Sequence, residues 1–357
     1  MYCLENIHKN RIPNDIIMLY LTLYRFIGRN REMLKTVEHD YQTLRKDTIR
    51  RDSYFLSKIY GLKISEARIK ALLIKDVHPK TKDERLLKNV KEALRKIHES
   101  KEGFELISRE IQDLLHFVYL DVAPKEKLHF AKAPKKKKDK VNLLSSGQKT
   151  KREALESLVK TYKQTMNENT YEPSFVALNF GVDFFLLKPF TEFNEEIGIL
   201  LLYILFLNEG IQAFHLSSFF EKLYKRYDKY QKLRQEAAHN WSEGLADTHE
   251  LHRFFLQIFI ESYQDVSEIL RNYTYDQQLN KSDYIENTIN KLEEVFTKEQ
   301  IRVHHPTISD STINRTLKRL RDEKKIRPLG TGRSASWMKL YESPKKKSIQ
   351  EQMNLKL

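Results

Sequence analysis

The chain has 357 residues, of which 40% are hydrophobic, and a formal net charge of +14; this allows about two or three domains and excludes wholesale disorder. The composition, with only 10 glycines and 9 prolines, favours long helices over many short strands or a glycine-rich phosphate loop. The single cysteine, Cys3, excludes an intramolecular disulfide and a thiolate-rich zinc site; with no secretory signal and no apolar run of bilayer length in view, we expect a cytoplasmic protein without membrane association.

Residues 1–115 are predicted to form an N-terminal region of successive amphipathic helices. Ile16 to Ile27 is rich in apolar residues, and Leu86 to Ile97 repeats them at the three-and-four spacing of a helix with one buried face. His78-Pro79 interrupts the pattern and predicts a turn between two helices.

Residues 116–272 are predicted to form the core domain. Segment 124–147 contains two short apolar stretches, Leu128 to Phe130 and Val141 to Leu143, around a lysine-rich tip. This pattern predicts a β-hairpin flap, which is a candidate contact for a protein partner; a solvated loop is the alternative. A helix is expected from Lys151 onward.

The most apolar part of the core domain is predicted to form two helices around a short break. Phe175 to Leu187 is the first helix, and it ends at Lys188 because proline disfavours a helical residue before it. The second helix begins at about Glu195.

The break between these helices carries a recognisable motif. Residues 184–202 read FFLLKPFTEFNEEIGILLL. This segment resembles the signature of the Fic (filamentation induced by cAMP) family, HPFx[DE]GNGRxxR between two helices. Upstream, Ser57-Lys58-Ile59-Tyr60-Gly61 is similar to the family's inhibitory-helix sequence SxIEG. The resemblance implies a mainly α Fic-fold helical bundle with a small β-hairpin flap, over roughly residues 50–270.

The resemblance also implies what the matching positions do in an active member, which transfers AMP from ATP to a protein hydroxyl. The histidine is the general base, the acidic residue holds magnesium, the Gly-Asn-Gly turn wraps the phosphates, and the arginines neutralise charge. The catalytic positions here are Lys188, Glu192 and Asn194, with Glu192 at the metal position. The phosphate-site positions are Phe193, Asn194, Glu195 and Glu196, and the inhibitory position is Tyr60.

Several of these positions oppose nucleotide chemistry. A lysine ammonium offers no lone pair at neutral pH, so Lys188 cannot replace a histidine base. Carboxylates about 4 Å from a phosphate oxygen repel it by roughly 4 kcal/mol each at an effective dielectric near 20. Glu195 and Glu196 instead suit a helix start, where acids favour the macrodipole. Tyr60 and Ile199 stand where the family has an inhibitory ion pair, and an apolar contact could replace it.

We therefore predict a catalytically inactive Fic domain that needs no cofactor. The alternative is a divergent protein adenylyltransferase that uses ATP, with magnesium held at Glu192.

Residues 283–342 are predicted to form a winged helix-turn-helix similar to those at the end of many Fic proteins. Its expected helices are Glu286 to Phe296, Thr297 to Val303 with Thr297 as N-cap, and a third helix capped by Ser309. Ile326 to Leu340 is expected to be two strands around a wing at 330–333. The inner face of the third helix is expected to carry Ile313, Leu317 and Leu320.

This module is the strongest candidate for nucleic-acid binding. Residues 301–347 contain 13 basic and 4 acidic residues, a net charge of +9, which is typical of a polyanion binder. The predicted DNA-binding residues are Ser311, Asn314, Arg315, Lys318, Arg319 and Arg333. Winged helices also mediate protein contacts and dimerisation, so a homodimer or a protein scaffold is the alternative. Residues 343–357 are expected to be a basic flexible tail.

Overall fold

A computed structural model describes residues 3–9, 11–100, 103–132, 150–278, 281–305, 308–330 and 335–340. For residues 275–278 and 281 it describes the backbone alone. The chain divides into two compact units, Met1–Glu268 and Ile269–Leu357, and the division falls within a long helix. The fold is mainly helical with one small sheet, which confirms the predicted fold class at that level.

The first unit is a bundle of α-helices joined by short turns and 3-10 segments. In chain order its helices are α1 (Asn14–Ile27), α2 (Asn30–Thr36), α3 (Tyr41–Ile59), α4 (Glu66–Ile74), α5 (Lys82–Glu99), α6 (Ser108–Val118), α7 (Lys151–Asn167), α8 (Pro173–Leu187), α9 (Asn194–Asn208), α10 (Phe219–Lys225), α11 (Tyr227–Ala237) and α12 (His249–Gln278). The 3-10 segments are Leu4–Lys9, Lys125–Leu128, Gln212–His215 and Trp241–Glu243.

Helices α8 and α9 form the centre of this unit. Helix α8 is buried at all but two of its residues and α9 is buried without interruption from Ile197 to Phe206, as expected for helices that are apolar on all sides. Two glycines allow them to touch: a β-carbon at Gly181 would lie 2.4 Å from the side chain of Leu202, and one at Gly198 would lie 2.6 Å from the ring of Phe185. The close contact holds the loop between the two helices in one position.

Local signals set where several of these helices begin and end. Thr150 and Glu153 form a capping box at the start of α7, because each side chain accepts a hydrogen bond from the other's backbone N–H. Helix α8 begins with Pro173 at its first position and ends before Pro189. The predicted turn at His78-Pro79 separates α4 from α5.

The predicted flap differs from its expected form in the part that the structure describes. Lys125–Leu128 is a 3-10 helix, so the first predicted strand is reduced to a single bridge at Phe130. That bridge pairs with Phe190, between α8 and α9, because the open backbone there offers hydrogen-bond partners. Val141 to Leu143 and the lysine-rich tip lie outside the described residues.

After the end of α12, the described part of the second unit combines three helices with a three-stranded antiparallel sheet. Its elements are α13 (Lys281–Lys291), β1 (Val295–Thr297), α14 (Lys298–His304), α15 (Asp310–Asp322), β2 (Ile326–Pro328) and β3 (Ser336–Lys339). The sheet order is β1-β3-β2, with Phe296 and Pro328 both opposite Trp337. Pro328 lies on an edge strand, where its missing N–H leaves no gap in the sheet.

Caps and core residues of the second unit agree with the sequence patterns. Thr297 forms a capping box with Gln300, and the Ser309 hydroxyl accepts from the Thr312 backbone N–H. Ile313, Leu317 and Leu320 are buried as predicted. The core cluster consists of Ile285, Ile289, Phe296, Ile301, Ile313, Leu317, Leu320 and Ile326.

Two boundaries differ from the predicted ones. The helix predicted over Glu286 to Phe296 ends at Lys291, and Val295–Thr297 is a strand because it pairs with β3, about forty residues later. The polar stretch from Tyr273, which begins the interval between the predicted core domain and the predicted winged helix-turn-helix, continues α12 to Gln278. It contains no glycine or proline, so nothing in it breaks the helix.

Candidate functional site

The connection between α8 and α9 begins with a residue in a left-handed conformation. Lys188 has φ 45° and ψ 69°, and its backbone N–H bonds to the carbonyl of Phe184, 3.1 Å away. Its side chain is exposed. Lys151 lies nearby and donates to the carbonyl of Leu187; burial lowers the pKa of Lys151, and the positive charge of Lys188 lowers it further. The predicted base position is therefore in a locally cationic setting.

The next residues pair with the segment that precedes the flap. The Ala131 N–H donates to the carbonyl of Pro189 at 2.8 Å, and the Thr191 N–H donates to the carbonyl of His129 at 2.9 Å. The rings of Phe130 and Phe190 pack with centroids 5.2 Å apart. This short antiparallel contact satisfies one backbone carbonyl and one backbone N–H of the loop.

Asn194 closes the loop from within. Its side-chain oxygen accepts from the Phe190 N–H at 2.9 Å, and its side-chain nitrogen donates to the Phe190 carbonyl at 2.8 Å. Both functional groups of the amide are therefore bonded to one residue of the same turn. The side chain holds the loop in shape at the position where α9 begins.

Phe193, just before α9, packs its ring on an aromatic neighbour at that turn. It has φ 64° and ψ 22°, the left-handed conformation that favours glycine. Its ring stacks on Tyr119, with centroids 3.8 Å apart and an interplanar angle of 19°. Tyr119 follows α6 and is buried. The aromatic pair is the tightest ring contact of this site.

Two of the three carboxylates are paired with cations from distant elements. Glu192 bonds to the ammonium of Lys127 at 3.0 Å, and both side chains are about half exposed. Glu195 bonds to the guanidinium of Arg234 at 2.7 Å. Arg234 is largely buried and lies over the ring of Phe185. The second pair therefore links the first turn of α9 to α11 and to α8.

Glu196, the third carboxylate, has no ion-pair partner within the ranges that the structure describes. Desolvation raises its pKa, and the adjacent charge of Glu195 raises it further. Tyr60, the residue at the predicted inhibitory position, donates its hydroxyl to the Glu196 carbonyl at 3.0 Å. Tyr60 thus meets the first turn of α9 through a hydrogen bond, and Ile199, one turn later, is buried in the core.

The site offers little to a metal ion. Across the described residues no three His, Cys, Asp or Glu side chains come together as a metal-binding group. Glu192 is a single carboxylate already paired with Lys127.

A second candidate site lies on α15. Ser311, Asn314, Arg315 and Lys318 are all exposed and follow one another at the spacing of a single helix face. Neither Arg315 nor Lys318 has an ion-pair partner within the described residues. The face is opposite the buried stripe of α15, so it presents two free cations and two short polar side chains to solvent.

Arg319 is in a different environment from these four residues. Its guanidinium bonds to Glu286 at 2.6 Å and Glu323 at 3.2 Å, and lies 3.5 Å from Asp283. Lys339 donates to the carbonyl of Asn290 at 2.9 Å. Both cations are therefore engaged within the unit. Arg333, the predicted wing residue, lies outside the described residues.

Sequence reasoning missed three residues that complete the site at the start of α9. Tyr119, Lys127 and Arg234 come from separate parts of the chain and meet Phe193, Glu192 and Glu195 respectively. The sequence carried a weak signal for Tyr119, because it is an aromatic residue at the end of a buried stretch. No local pattern distinguished Lys127 and Arg234 from the other cations of the chain.

Comparison with known proteins gives a fold. No family model and no curated protein matches the sequence. Among solved structures, a Fic family protein from Desulfovibrio desulfuricans superposes with a TM-score of 0.56 at 12% identity, covering 94% of this chain and 98% of that one. A Fic domain containing signaling protein from Bacteroides thetaiotaomicron has a TM-score of 0.53 at 13% identity, covering 70% and 98%.

A third solved structure is a fragment of Fic-1 from C. elegans, with a TM-score of 0.51 at 15% identity, covering 69% of this chain and 72% of that fragment. At such identities the likeness shows the fold alone, and the chain has the Fic fold. Of the helices in the described ranges, none is both long enough and apolar enough to cross a membrane.

Proposed function

We propose that this Fic-fold chain is a DNA-binding regulator or sensor whose Fic domain does not transfer AMP. The observation that carries the first half is the exposed face of Ser311, Asn314, Arg315 and Lys318 on α15, whose two cations have no partner within the described unit. The second half is supported by the start of α9, where the side chains of Glu192, Asn194 and Glu195 bond to other residues of the chain.

The residues at the start of α9 do not fit a nucleotide with magnesium. Phosphates need free amide donors and cations at a helix start. Here the side-chain amide of Asn194 is bonded to Phe190, and Phe193, at a glycine position of the motif, stacks its ring on Tyr119. In the first turn of α9, Arg234 neutralises Glu195, whereas the Glu196 carboxylate has no cation partner among the described residues and would oppose a phosphate placed beside it. No step of a transfer reaction is assigned to these residues.

The absence of AMP transfer is tested by calorimetric titration of the full chain with ATP and magnesium, together with labelling by ATP that is radioactive at the α-phosphate. We expect no binding heat and no label on the chain or on lysate proteins. Lys188→His should remain unlabelled, since a restored base leaves the carboxylates and Phe193 in place. Stoichiometric ATP binding, or labelling that Glu192→Ala abolishes, would contradict the proposal and favour a divergent adenylyltransferase.

The dimensions and charge of α15 support the DNA-binding half. Helix α15 has 13 residues and is about 20 Å long, and an α-helix, about 10–12 Å in diameter with its side chains, fits a major groove about 12 Å wide. Asn314 has a side chain suited to base edges, and Arg315 and Lys318 can bond phosphates or guanine. A winged helix-turn-helix, in which α15 is the recognition helix, is the arrangement we propose for residues 283–342.

DNA binding is tested by fluorescence anisotropy of the full chain with duplex DNA at several salt concentrations. We expect binding that weakens steeply with salt. Lys318→Ala should weaken it and lower the slope of log affinity against log salt by about 1. Lys291→Ala is the matched control, because Lys291 is an exposed, unpaired lysine of the same unit on α13. Equal effects of the two substitutions, or no binding at all, would contradict DNA recognition by this face.

A further inference from the structure

A cavity lies between α5, α6 and the C-terminal end of α9. Its volume is about 330 Å³, which falls within the roughly 300–1,000 Å³ of small-molecule pockets in proteins. Asn208, the last residue of α9, lines this cavity, whereas the motif positions lie at the other end of the helix. Because α9 has 15 residues, it is about 22 Å long. The cavity is therefore separate from the site at the start of α9.

The walls of the cavity are mainly apolar. Large apolar side chains reach it from all three helices and from the connection between α5 and α6; they are Ile97, Phe104, Leu114, Phe117, Ile204 and Leu207. Ile204 is buried, and the other five are only half-buried. Apolar surface therefore stays in contact with water in this cavity, and a ligand that removes it from water gains free energy.

Hydrogen bonds tie the connection after α5 to the end of α9 and shape the rim of the cavity. The side-chain nitrogen of Asn208 donates to the carbonyl of Phe104 at 3.1 Å. The hydroxyl of Ser100 donates to the carbonyl of Gly103 at 3.0 Å. Gly103 has φ 75°, and a β-carbon there would lie 3.3 Å from Oδ1 of Asn208. That Oδ1 accepts no hydrogen bond from the residues that the structure describes, so it can accept one from a ligand.

The charged side chains at the rim cancel one another. The ammonium of Lys96 lies 4.0 Å from the ring centroid of Phe117, and no carboxylate of the described ranges pairs with it. Glu110 also lines the cavity and forms no ion pair in that part of the chain. Asp113 lies 3.7 Å from Arg109. One unpaired cation, one unpaired anion and one ion pair leave no net charge, so the rim selects neither an anion nor a cation.

We propose that this cavity binds a small neutral aromatic molecule with one hydrogen-bond donor, of the size of indole. The volume is at the lower end of the range for small-molecule pockets, which limits the ligand to one or two rings. The rings of Phe104 and Phe117 add aromatic contacts to the gain from buried area. The donor of the ligand bonds to Oδ1 of Asn208. This inference is independent of the proposed DNA and nucleotide properties.

The charge of the ligand follows from the same walls. A charged ligand loses its hydration against apolar side chains, and that loss is unfavourable unless an opposite charge compensates it. Lys96 would attract a carboxylate that Glu110 repels, and the reverse holds for an ammonium. A neutral ligand avoids both costs.

Methyl NMR of the full chain tests the site directly, with ¹³C in the isoleucine methyl groups and indole as the probe. We expect the signals of Ile97 and Ile204 to shift and to saturate with a dissociation constant of about 0.1–1 mM, as suits so small a ligand. Ile74, on α4, does not line the cavity, so its signal should not move. Benzoate and benzylammonium, which match indole in size and carry opposite charges, should bind at least about tenfold more weakly.

Two substitutions fill the cavity. Leu207→Trp and Leu114→Trp each add a ring inside it, from α9 and from α6, and each should weaken indole binding at least about tenfold. Leu245→Trp is the matched control, because Leu245 is 59% exposed and does not line the cavity. Its dissociation constant should equal that of the wild type. Unchanged thermal melting of each variant shows that the fold is intact.

Asn208→Ala tests the hydrogen bond to the ligand. It should weaken indole about three- to tenfold and leave the binding of 1-methylindole, which has no N–H donor, unchanged. Equal losses for the two ligands would overturn the assigned donor. Signals of Ile97 and Ile204 that stay in place up to about 5 mM indole, or tighter binding of benzoate or benzylammonium, would overturn the proposal. Wild-type affinity in both cavity-filling variants would also overturn it.

Discussion

Phe193 combines an unfavourable backbone with a favourable side chain. A residue with a β-carbon at φ 64° costs about 1 kcal/mol more than glycine there. The stack on Tyr119 offsets this, because an aromatic pair contributes about 0.5–1.5 kcal/mol beyond the area it buries. The residue therefore stabilises the turn through a contact that a glycine would lack.

We expect the free energy of unfolding to be highest for the wild type, lower for Phe193→Gly and lowest for Phe193→Ala. Alanine loses the stack and keeps the backbone strain, so it should lower the free energy of unfolding by about 2 kcal/mol or more. Glycine loses the stack and relieves the strain, so its loss should be smaller by about 1 kcal/mol. Urea unfolding measures both values. A double-mutant cycle with Tyr119→Ala should give a coupling of about 1 kcal/mol; additive losses would argue against the stack.

At the scale of elements, Arg319 joins α15 to α13. It belongs to the same helix as Arg315, yet it forms ion pairs within the unit, with Glu286, Asp283 and Glu323. Nearby, Lys325 also bonds to Glu286 at 2.6 Å. Among the cations of α15, Arg319 therefore holds the helix in place, whereas Arg315 and Lys318 have no ion-pair partner in the part of the chain that the structure describes.

We expect Arg319→Ala and Arg315→Ala to act differently. Arg319→Ala should destabilise the second unit by about 1 kcal/mol, a modest value because the guanidinium is 36% exposed and water screens the pair. Hydrogen exchange of the α13 and α15 amides in the full chain measures this directly. Arg315→Ala should leave that exchange unchanged and weaken DNA binding instead. The reverse pattern would mean that the roles of the two arginines are exchanged.

At the scale of the whole molecule, the two units differ in their buried titratable groups. In the first unit, burial lowers the pKa of His98, His215 and His252, while burial raises the pKa of Asp52 to about 7 and of Asp183 to about 6. The histidines make the unit less stable as the pH falls, and the carboxyls make it more stable. These contributions oppose each other in mildly acidic solution.

The second unit has no buried carboxyl of this kind in its described part. Burial lowers the pKa of His305 from 6.5 to about 4, and its ring bonds to the Thr288 hydroxyl at 2.7 Å. The unfolded chain takes up a proton near pH 6.5, whereas the folded unit does so only near pH 4. The contribution of His305 to the free energy of unfolding is therefore fully present above pH 6.5 and is lost as the pH falls toward 4.

We expect the second unit to lose about 2–3 kcal/mol between pH 7 and pH 4 through this residue. Hydrogen exchange in α13 to α15, followed across that range, should show the loss. His305→Gln can still bond to Thr288 but does not titrate, so its profile should be flatter than the wild type's. Equal slopes for the two chains would show that another group governs the acid sensitivity.

Local sequence patterns predicted much of the fold. Helical periodicity identified the amphipathic helix around Leu86 to Ile97, and the caps at Thr297 and Ser309 were correct, because a cap depends on residues within one turn. The strand at Val295–Thr297 was missed, because its partner β3 lies about forty residues away. The candidate site divides in the same way: the positions from Lys188 to Glu196 were visible, but their partners were not.

The sequence by itself determined the helical class, the apolar pair α8 and α9, the side chains at the turn between them and the basic character of α15. The tertiary structure decided what those side chains meet. Tyr60 reaches the carbonyl of Glu196 across 136 positions, Lys127 reaches Glu192 across 65, and Arg234 reaches Glu195 across 39. Periodicity reports which face of a helix is buried, whereas the identity of the residue across from it depends on how distant helices pack.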